Sequence, residues 1–409
     1  GDILGAELSV GLGQRQEREH TAQSSSSAVG ATLSGAKVHL IATGENDPTH
    51  GAGDIVLQGA KVTGHAVTLD ATGNILLTAA TNTEDYQQTR HHQGSSVGMS
   101  ANIGGNGSGI GVNASGYRED NHYQQHSNQY QGTQISGQTV TLNSGKNTEL
   151  LGSQVDAQAI TGHIGGKLII ESLQDTQSST LTNTQKSASL SVPLTACGPE
   201  SLTASTQQQK GNGETAAVTT QAGLFAGSDG YHLTVDELTH LKGGVIASTA
   251  SNDKNELTTN ALQLEDLTNT SSHSVKTQGL TLNAGGGLNP IAGLAPEGGP
   301  GKVTAGLLPG FAQEDKGHHT SQTSSAISQG TITLTDEVAQ QSLTGTTIAQ
   351  TLAGINHNTD NTNAPVNPLT DIQAIAHQQN ERANASQAAG QAIGRTVGDI
   401  ASAQRDAAL

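Results

Sequence analysis

The sequence predicts an all-β protein: a right-handed parallel β-helix with protruding β-hairpin arms, followed by a short C-terminal α-helical connector. The first observation behind this prediction is composition, because only 33% of the 409 residues are hydrophobic and 2% are aromatic. A compact domain is nearer half apolar, since large side chains must fill its core. A solenoid needs only a thin core, because each coil packs on its neighbours.

A repeated pattern is the second observation. Residues 33–40, 62–69 and 135–142 each hold an apolar residue, a glycine two positions later, and apolar residues five and seven positions later. An apolar–polar–apolar step places two side chains on one face of a strand. Glycine permits the positive φ that a chain needs at a corner. Strands of this kind, stacked coil on coil, give a parallel β-helix with an aliphatic interior.

The spacing of the pattern suggests the size of a coil. Twenty residues separate Ile135 from Val155, and a weaker copy of the pattern occurs at Gly279–Gly285. We therefore expect roughly ten coils and a shaft on the order of 50 Å long, at ~4.8 Å per strand.

Two long segments interrupt the coils, at about 82–131 and about 174–221. In the first, alternating apolar residues flank a glycine-rich centre, Gly104 to Gly109, which predicts a long β-hairpin with a glycine tip. Residues 1–34 resemble the returning half of a similar, truncated arm, and residues 35–345 hold the coils and arms together. Disordered Ser/Gln loops are the alternative, because isolated hairpins are only marginally stable.

The pattern changes near the C-terminus. Residues 346–370 include an Asn/Thr/Pro-rich stretch that indicates a linker. Residues 371–409 place apolar side chains at helical spacing, starting with Ile372 and Ile375, so we expect a helical connector. Three glycines lie four apart in it, at Gly390, Gly394 and Gly398.

Charge and targeting signals exclude several classes of function. The net charge of −17 disfavours binding to nucleic acid, which depends on Lys and Arg neutralising phosphates, and to an anionic membrane surface. The start of the chain lacks a signal peptide, and we expect it to be an internal fragment. No apolar run is long enough for a membrane-spanning helix. The single cysteine, Cys197, excludes an intrachain disulfide.

Short motifs of catalysis are present but lack the context they need. Gly94–Gly98 matches the nucleophile-elbow pattern, which requires a strand-to-helix turn, whereas an alternating strand begins at Val97. Gly109, Gly111 and Ala114 form only a weak dinucleotide fingerprint without a following helix. Gly104–Gly109 lacks the Asp of a calcium-binding repeat.

Histidines and carboxylates are the remaining chemical candidates. His91–His92 and His318–His319 are adjacent pairs, and neighbours on a strand point to opposite faces, so neither pair chelates easily alone. Carboxylates such as Glu84, Asp85, Glu119 and Asp120 are scattered. We predict no catalytic, cofactor-binding or metal-binding residues and no cofactor.

Four segments resemble the second type of filamentous haemagglutinin repeat, found in contact-dependent growth inhibition exoproteins of two-partner secretion systems. They are residues 140–147, 174–179, 232–269 and 325–334, and the ordered series from 232 to 334 carries the most specific resemblance. The resemblance implies a secreted filament on the bacterial cell surface and an outer-membrane secretion partner. It also implies a C-terminal toxin module in the same polypeptide, and a target-cell outer membrane or surface receptor as partner.

Three functions follow as hypotheses. The first is a non-catalytic structural and delivery segment that helps present or translocate a C-terminal toxin into a neighbouring bacterium. The second is the adhesin shaft of a filamentous haemagglutinin, which would share every repeat feature. The third is a polysaccharide-processing β-helix enzyme, which the absence of Trp and the scarcity of Tyr disfavour.

Overall fold

The computed structural model describes residues 6–44, 53–103, 109–194, 201–285 and 304–386. The centre of the predicted glycine tip, Cys197, the glycines at 390, 394 and 398, and the rest of the predicted connector lie outside these ranges. Two sheets make up most of the described chain, a largely parallel one of 13 strands and an antiparallel one of seven. The prediction of an all-β parallel β-helix with hairpin arms is confirmed, and its handedness stays a prediction.

The 13-stranded sheet forms the wall of the β-helix, which we call the shaft. Its strands are β2 (Thr32–Ala42), β3 (Ile55–Gln58), β4 (Lys61–Ala71), β5 (Ile75–Thr78), β8 (Gln134–Ser144), β9 (Thr148–Leu151), β10 (Gln154–Ile164), β11 (Leu168–Glu171), β14 (Gly223–Lys242), β15 (Val245–Ser248), β16 (Asn255–Glu265), β19 (Ala326–Ile327) and β20 (Thr331–Leu334). On its longest face β2, β4, β8, β10, β14, β16 and β20 stack in parallel. The described shaft thus has seven coils rather than the expected ten, because arms and a terminal cap take more of the chain than predicted.

The register of these strands confirms the alignment of the repeated pattern. Val62 pairs with Leu33 on one side and Ile135 on the other, and Leu69 pairs with Leu40 and Leu142. Equivalent side chains therefore form ladders along the shaft interior, where Val62, Leu69 and Leu142 are fully buried. Each buried aliphatic side chain contributes about 1.5–3 kcal/mol relative to an exposed one, so the thin core gains its strength from repetition.

The seven-stranded sheet, which we call the arm sheet, is built from hairpins that leave the shaft. Its strands are β1 (Ala6–Ser26), β6 (Ala80–Ile103), β7 (Gly109–Gln131), β12 (Asp175–Pro193), β13 (Ser201–Ala217), β17 (Leu267–Gly285) and β18 (Thr304–Thr323). They lie side by side in this order, all antiparallel. The arms are thus joined into one sheet rather than isolated, which removes the marginal stability of a lone hairpin.

The arms leave the shaft once every two coils. The hairpins β6–β7, β12–β13 and β17–β18 follow the second, fourth and sixth described coils, and β1 precedes the first. Two coils rise by about 9.6 Å, and a two-stranded hairpin is also about 9.6 Å wide. This equality lets the hairpins pair edge to edge while their bases stay on the shaft.

The glycines of the repeated pattern, Gly35, Gly64 and Gly137, lie inside shaft strands without a positive φ, so the expectation that they form corners is wrong. Other glycines mark the corners where no arm leaves. Gly59, Gly152 and Gly243 adopt φ of +57°, +65° and +56°, and each is followed within two residues by the next shaft strand. The corners that do carry arms, after β5, β11 and β16, have no glycine at the equivalent position. A left-handed residue allows the tight reversal into the next coil.

The third arm, β17–β18, lies in a segment that the sequence predicts as coils. The weak repeat copy at Gly279–Gly285 lies in β17, where it pairs with β13 and not with a shaft strand. An apolar–polar–apolar step satisfies the strand of an arm as well as the strand of a coil, so the pattern alone could not separate them.

The C-terminal end of the shaft is covered by a cap. Helix α1 (Glu337–Thr344) and helix α2 (Ile348–Ala353) follow β20 and lie in segments predicted as coil and linker. The fully buried carboxamide of Gln340 accepts from the backbone N–H of Leu262 at 2.8 Å and donates to its carbonyl at 3.0 Å. Gln340 therefore occupies the hydrogen-bonding positions that a further parallel strand would take. The division of the chain into the predicted segments otherwise stays a prediction.

Candidate interaction surface

The catalytic motifs set aside on sequence grounds lie in regular arm strands. Gly94–Gly98 is inside β6, paired on one side with β1 and on the other with β7, so the strand-to-helix turn of a nucleophile elbow is not present there. Gly109, Gly111 and Ala114 belong to β7. These segments form part of the arm sheet.

The histidines pair with neighbouring strands. His91 Nδ1 lies 2.6 Å from Asp120 Oδ1, and His92 Nε2 lies 3.2 Å from the Tyr117 hydroxyl. The pKa of Asp120 is lowered, chiefly by hydrogen bonds from the Arg118 guanidinium and then by His91. His126 Nδ1 is similarly 2.6 Å from Asp85. Within the described ranges no three His, Cys, Asp or Glu side chains are grouped as metal ligands, and His318 and His319 are exposed on β18.

One face of the arm sheet is apolar over the half nearest the hairpin tips, and we call it the apolar tip face. Register aligns Leu12 with Val97, and Val97 with Ala114, so that these side chains share one face. The face consists of Leu8, Val10, Leu12, Val97, Met99, Ala101, Ile110, Val112, Ala114, Ala188, Leu190, Val192, Leu202, Ala204, Leu280 and Leu282. Val10 is 71% and Leu12 86% exposed. A depression of about 500 Å³ lies among Leu8, Met99 and their neighbours.

Polar side chains border the apolar tip face towards the shaft. Arg118 lies directly opposite Lys186 on the next strand, and Arg18 lies opposite His91. The reverse side of the same tips carries small residues instead, such as Ser96 and Ser115, whose hydroxyls are 2.7 Å apart. The tip half is therefore amphipathic, with an aliphatic face, a basic border and a Gly/Ser reverse side.

A helix of residues 372–386 covers the reverse side closer to the shaft. Ile372 and Ala376 are buried against Tyr123, Leu181 and Val275, which belong to three different arm strands. No helix in the described part of the chain has the length and apolarity needed to cross a membrane.

Amide hydrogen bonds complete the docking of this helix. Gln209 Nε2 donates to the Ala376 carbonyl at 2.7 Å, and Gln207 Nε2 donates to Asn380 at 2.8 Å. Buried Gln379 accepts from the Thr277 hydroxyl at 2.5 Å and donates to the Val275 carbonyl at 3.1 Å. The sequence predicts the helix but not the surface on which it docks, which we call its seat. The seat is assembled from arm strands that are far apart in the chain.

Comparison with known proteins agrees with this architecture. Residues 11–184 match the Hemagglutinin repeat family. The matched residues lie in the N-terminal half of the chain, whereas the sequence predicts the most specific resemblance at residues 232–334. The toxin CdiA of Escherichia coli is 31% identical over 95% of this chain. The tRNA nuclease CdiA of Escherichia coli O6:K15:H31 is 32% identical over 91%, and the deoxyribonuclease CdiA of Yersinia pseudotuberculosis is 31% identical over 97%.

The matched region is a small part of these relatives, since the chain spans 12%, 11% and 34% of their respective lengths. No solved structure matches the chain. Fold and repeats define a repetitive β-helical protein. The chain belongs to the haemagglutinin-repeat regions of contact-dependent growth inhibition exoproteins.

Proposed function

We propose that this chain is a non-catalytic structural and delivery segment of a large secreted bacterial surface filament, which helps carry a toxin into a neighbouring bacterium. The toxin would be a C-terminal module elsewhere in the same polypeptide, as the nuclease names of the relatives suggest. Export would use an outer-membrane secretion partner. The shaft sets the spacing of the arms, and the arms make the contact with the target cell.

The apolar tip face is the observation that carries this proposal. Solvated proteins seldom expose a contiguous apolar patch larger than a few hundred Å², and this one extends about 25 Å across the strands and about 14 Å along them. Its depth is about half of the ~30 Å hydrocarbon core of a bilayer, so it fits insertion into one leaflet of the target outer membrane.

The charge distribution is compatible with this contact. The net charge of −17 disfavours general adsorption to an anionic surface, but Arg18 and Lys186 lie beside the apolar tip face, next to Arg118, which is paired with Asp120. Cations at that depth would meet anionic headgroups while the aliphatic side chains enter the acyl layer. Contact would thus be restricted to the tips and not spread over the shaft.

Two adjacent residues of β6 provide a matched test. Val97 belongs to the apolar tip face and Ser96 to the reverse side of the same strand. We expect Val97→Asp to reduce flotation of the chain with protein-free vesicles of outer-membrane lipids at least tenfold, and Ser96→Asp to leave it nearly unchanged. Equal binding by both variants would contradict the proposal. Binding only to whole cells, and not to vesicles, would favour an adhesin that recognises a surface receptor.

A further inference from the structure

The helix of residues 372–386 has a defined direction on the arm sheet. Its residues Ile372, Ala376 and Asn380 lie successively beside Gly211, Gln209 and Gln207 of β13. Because β13 begins at the hairpin tip and ends at the shaft, decreasing numbers along β13 lead outward. The helix therefore runs along the arm sheet from the shaft towards the tips.

The seat for this helix is shaped by two glycines. A Cβ at Gly211 would come 3.4 Å from Ile372 Cδ1, and a Cβ at Gly213 would come 3.2 Å from Leu369 Cδ1 and 2.9 Å from Ser179 Oγ. At Gly213 an added Cβ would require the neighbouring side chains to shift, whereas at Gly211 it would make contacts of ordinary van der Waals length. The two glycines thus leave room on β13 for the side chains of Leu369 and Ile372.

The docked helix buries few large apolar side chains. Ile372, Ala376 and Ala383 are its buried apolar residues, and two of these three are alanines. Several of its other contacts with the arm sheet are hydrogen bonds of side-chain amides. Beneath it, Ser179 Oγ and Asn183 Oδ1 are buried without a hydrogen-bond partner among the described residues. Undocking would return both atoms to water, which offsets part of the lost contact.

We propose that residues 372–386 form a releasable latch, which in its docked state holds the chain at Ser386 towards the tips of the arm sheet. Residues 372–386 of the same chain thus occupy the seat. Docking joins strands β7, β12, β13 and β17, and release separates the C-terminal part from the arms without unfolding the shaft. The latch is independent of lipid binding, so its test contains no membrane.

Distance measurements on the full 1–409 chain test the direction. Spin labels at Ser386→Cys and either Ser201→Cys or Ala217→Cys, with Cys197→Ser to remove the native thiol, report the two ends of β13. From the rise of helix and strand we expect about 10–20 Å to position 201 and about 40 Å to position 217. A shorter distance to position 217 than to position 201 would overturn the inference.

Hydrogen exchange tests the release. Ile372→Asn removes the main apolar contact, and Ala374→Asn places the same side chain on the exposed side of the helix. We expect exchange in residues 375–386 of the native chain to be at least tenfold faster than in β10, and Ile372→Asn to accelerate it at least tenfold further without affecting β10. Ala374→Asn should have a much smaller effect. Exchange as slow in the native helix as in β10 would show that the latch opens only on global unfolding, and the proposal would fail.

Discussion

At the scale of single residues, the corners of the shaft that carry no arm share one backbone conformation, a glycine with positive φ. Gly152 turns the chain from β9 into β10 with a φ of +65°, a conformation that costs an L-residue roughly 1–2 kcal/mol. A Cβ there would also come 2.9 Å from Leu173 Cδ1. The glycine is needed for both its conformation and its lack of a side chain.

Gly152→Ala should therefore lower the free energy of unfolding by about 1–3 kcal/mol, combining backbone strain with a close contact. Gly116→Ala is the matched control, because Gly116 lies in an arm strand where the nearest atom to an added Cβ is 3.8 Å away. Urea denaturation followed by circular dichroism measures both. Comparable losses in the two variants would mean that the corner imposes no special demand on glycine.

At the scale of elements, one arm leaves the shaft for every two coils, although neither the coils nor the arms require this period by themselves. The coil from Gln134 to Gln154 is 20 residues long, as their register shows, but the structural unit is two coils plus one hairpin. This is because strand spacing, about 4.8 Å, is the same in the shaft and in the arm sheet. The arms remain in one sheet only while they leave at every second coil.

Two deletions test the period of the coils and the period of the arms separately. Removal of residues 134–153 takes out one coil, keeps the shaft strands in register, and brings two arms onto successive coils that are too close for both hairpins. Removal of residues 134–222 takes out a complete unit, because Gly223 pairs at the same position as Gln134 and Gln154. We expect the smaller deletion to lower the urea midpoint more than the larger one. The reverse order would show that the arm sheet has no influence on the shaft.

The sequence predicts some elements of the fold and not others. Coil strands such as β4 and β8 were predicted because Val62, Leu69 and their equivalents are buried by local alternation. The joining of arms and the seat under Ile372 arise from pairing between distant strands, for which no local pattern exists. Gln340 also gave no signal, since a glutamine in a short helix is ordinarily exposed. The glycines at armless corners, such as Gly59, are a local sequence signal that distinguishes these corners from those that carry arms.

At the scale of the whole molecule, each end of a stack of parallel strands can pair with a further strand. A last strand with free N–H and C=O groups can pair with another chain, and a stack that joins end to end forms an open filament. Gln340, helix α2 and the segment after it prevent this at the C-terminal end. Ile327, for example, donates its N–H to the Asn356 carbonyl at 3.0 Å.

Truncation can separate the role of this cap from that of the latch. A chain of residues 1–370 keeps the cap and lacks the helix of residues 372–386, whereas a chain of residues 1–335 lacks both. We expect the first to remain monomeric and the second to associate with rising concentration, as measured by size-exclusion chromatography with light scattering. Strand pairing at the exposed end of β16 and β20 is the physical reason, because removal of Gln340 uncovers the backbone of Leu262. A monomeric 1–335 chain up to its solubility limit would indicate that β20 alone protects the end of the shaft, and that the cap serves stability and not assembly.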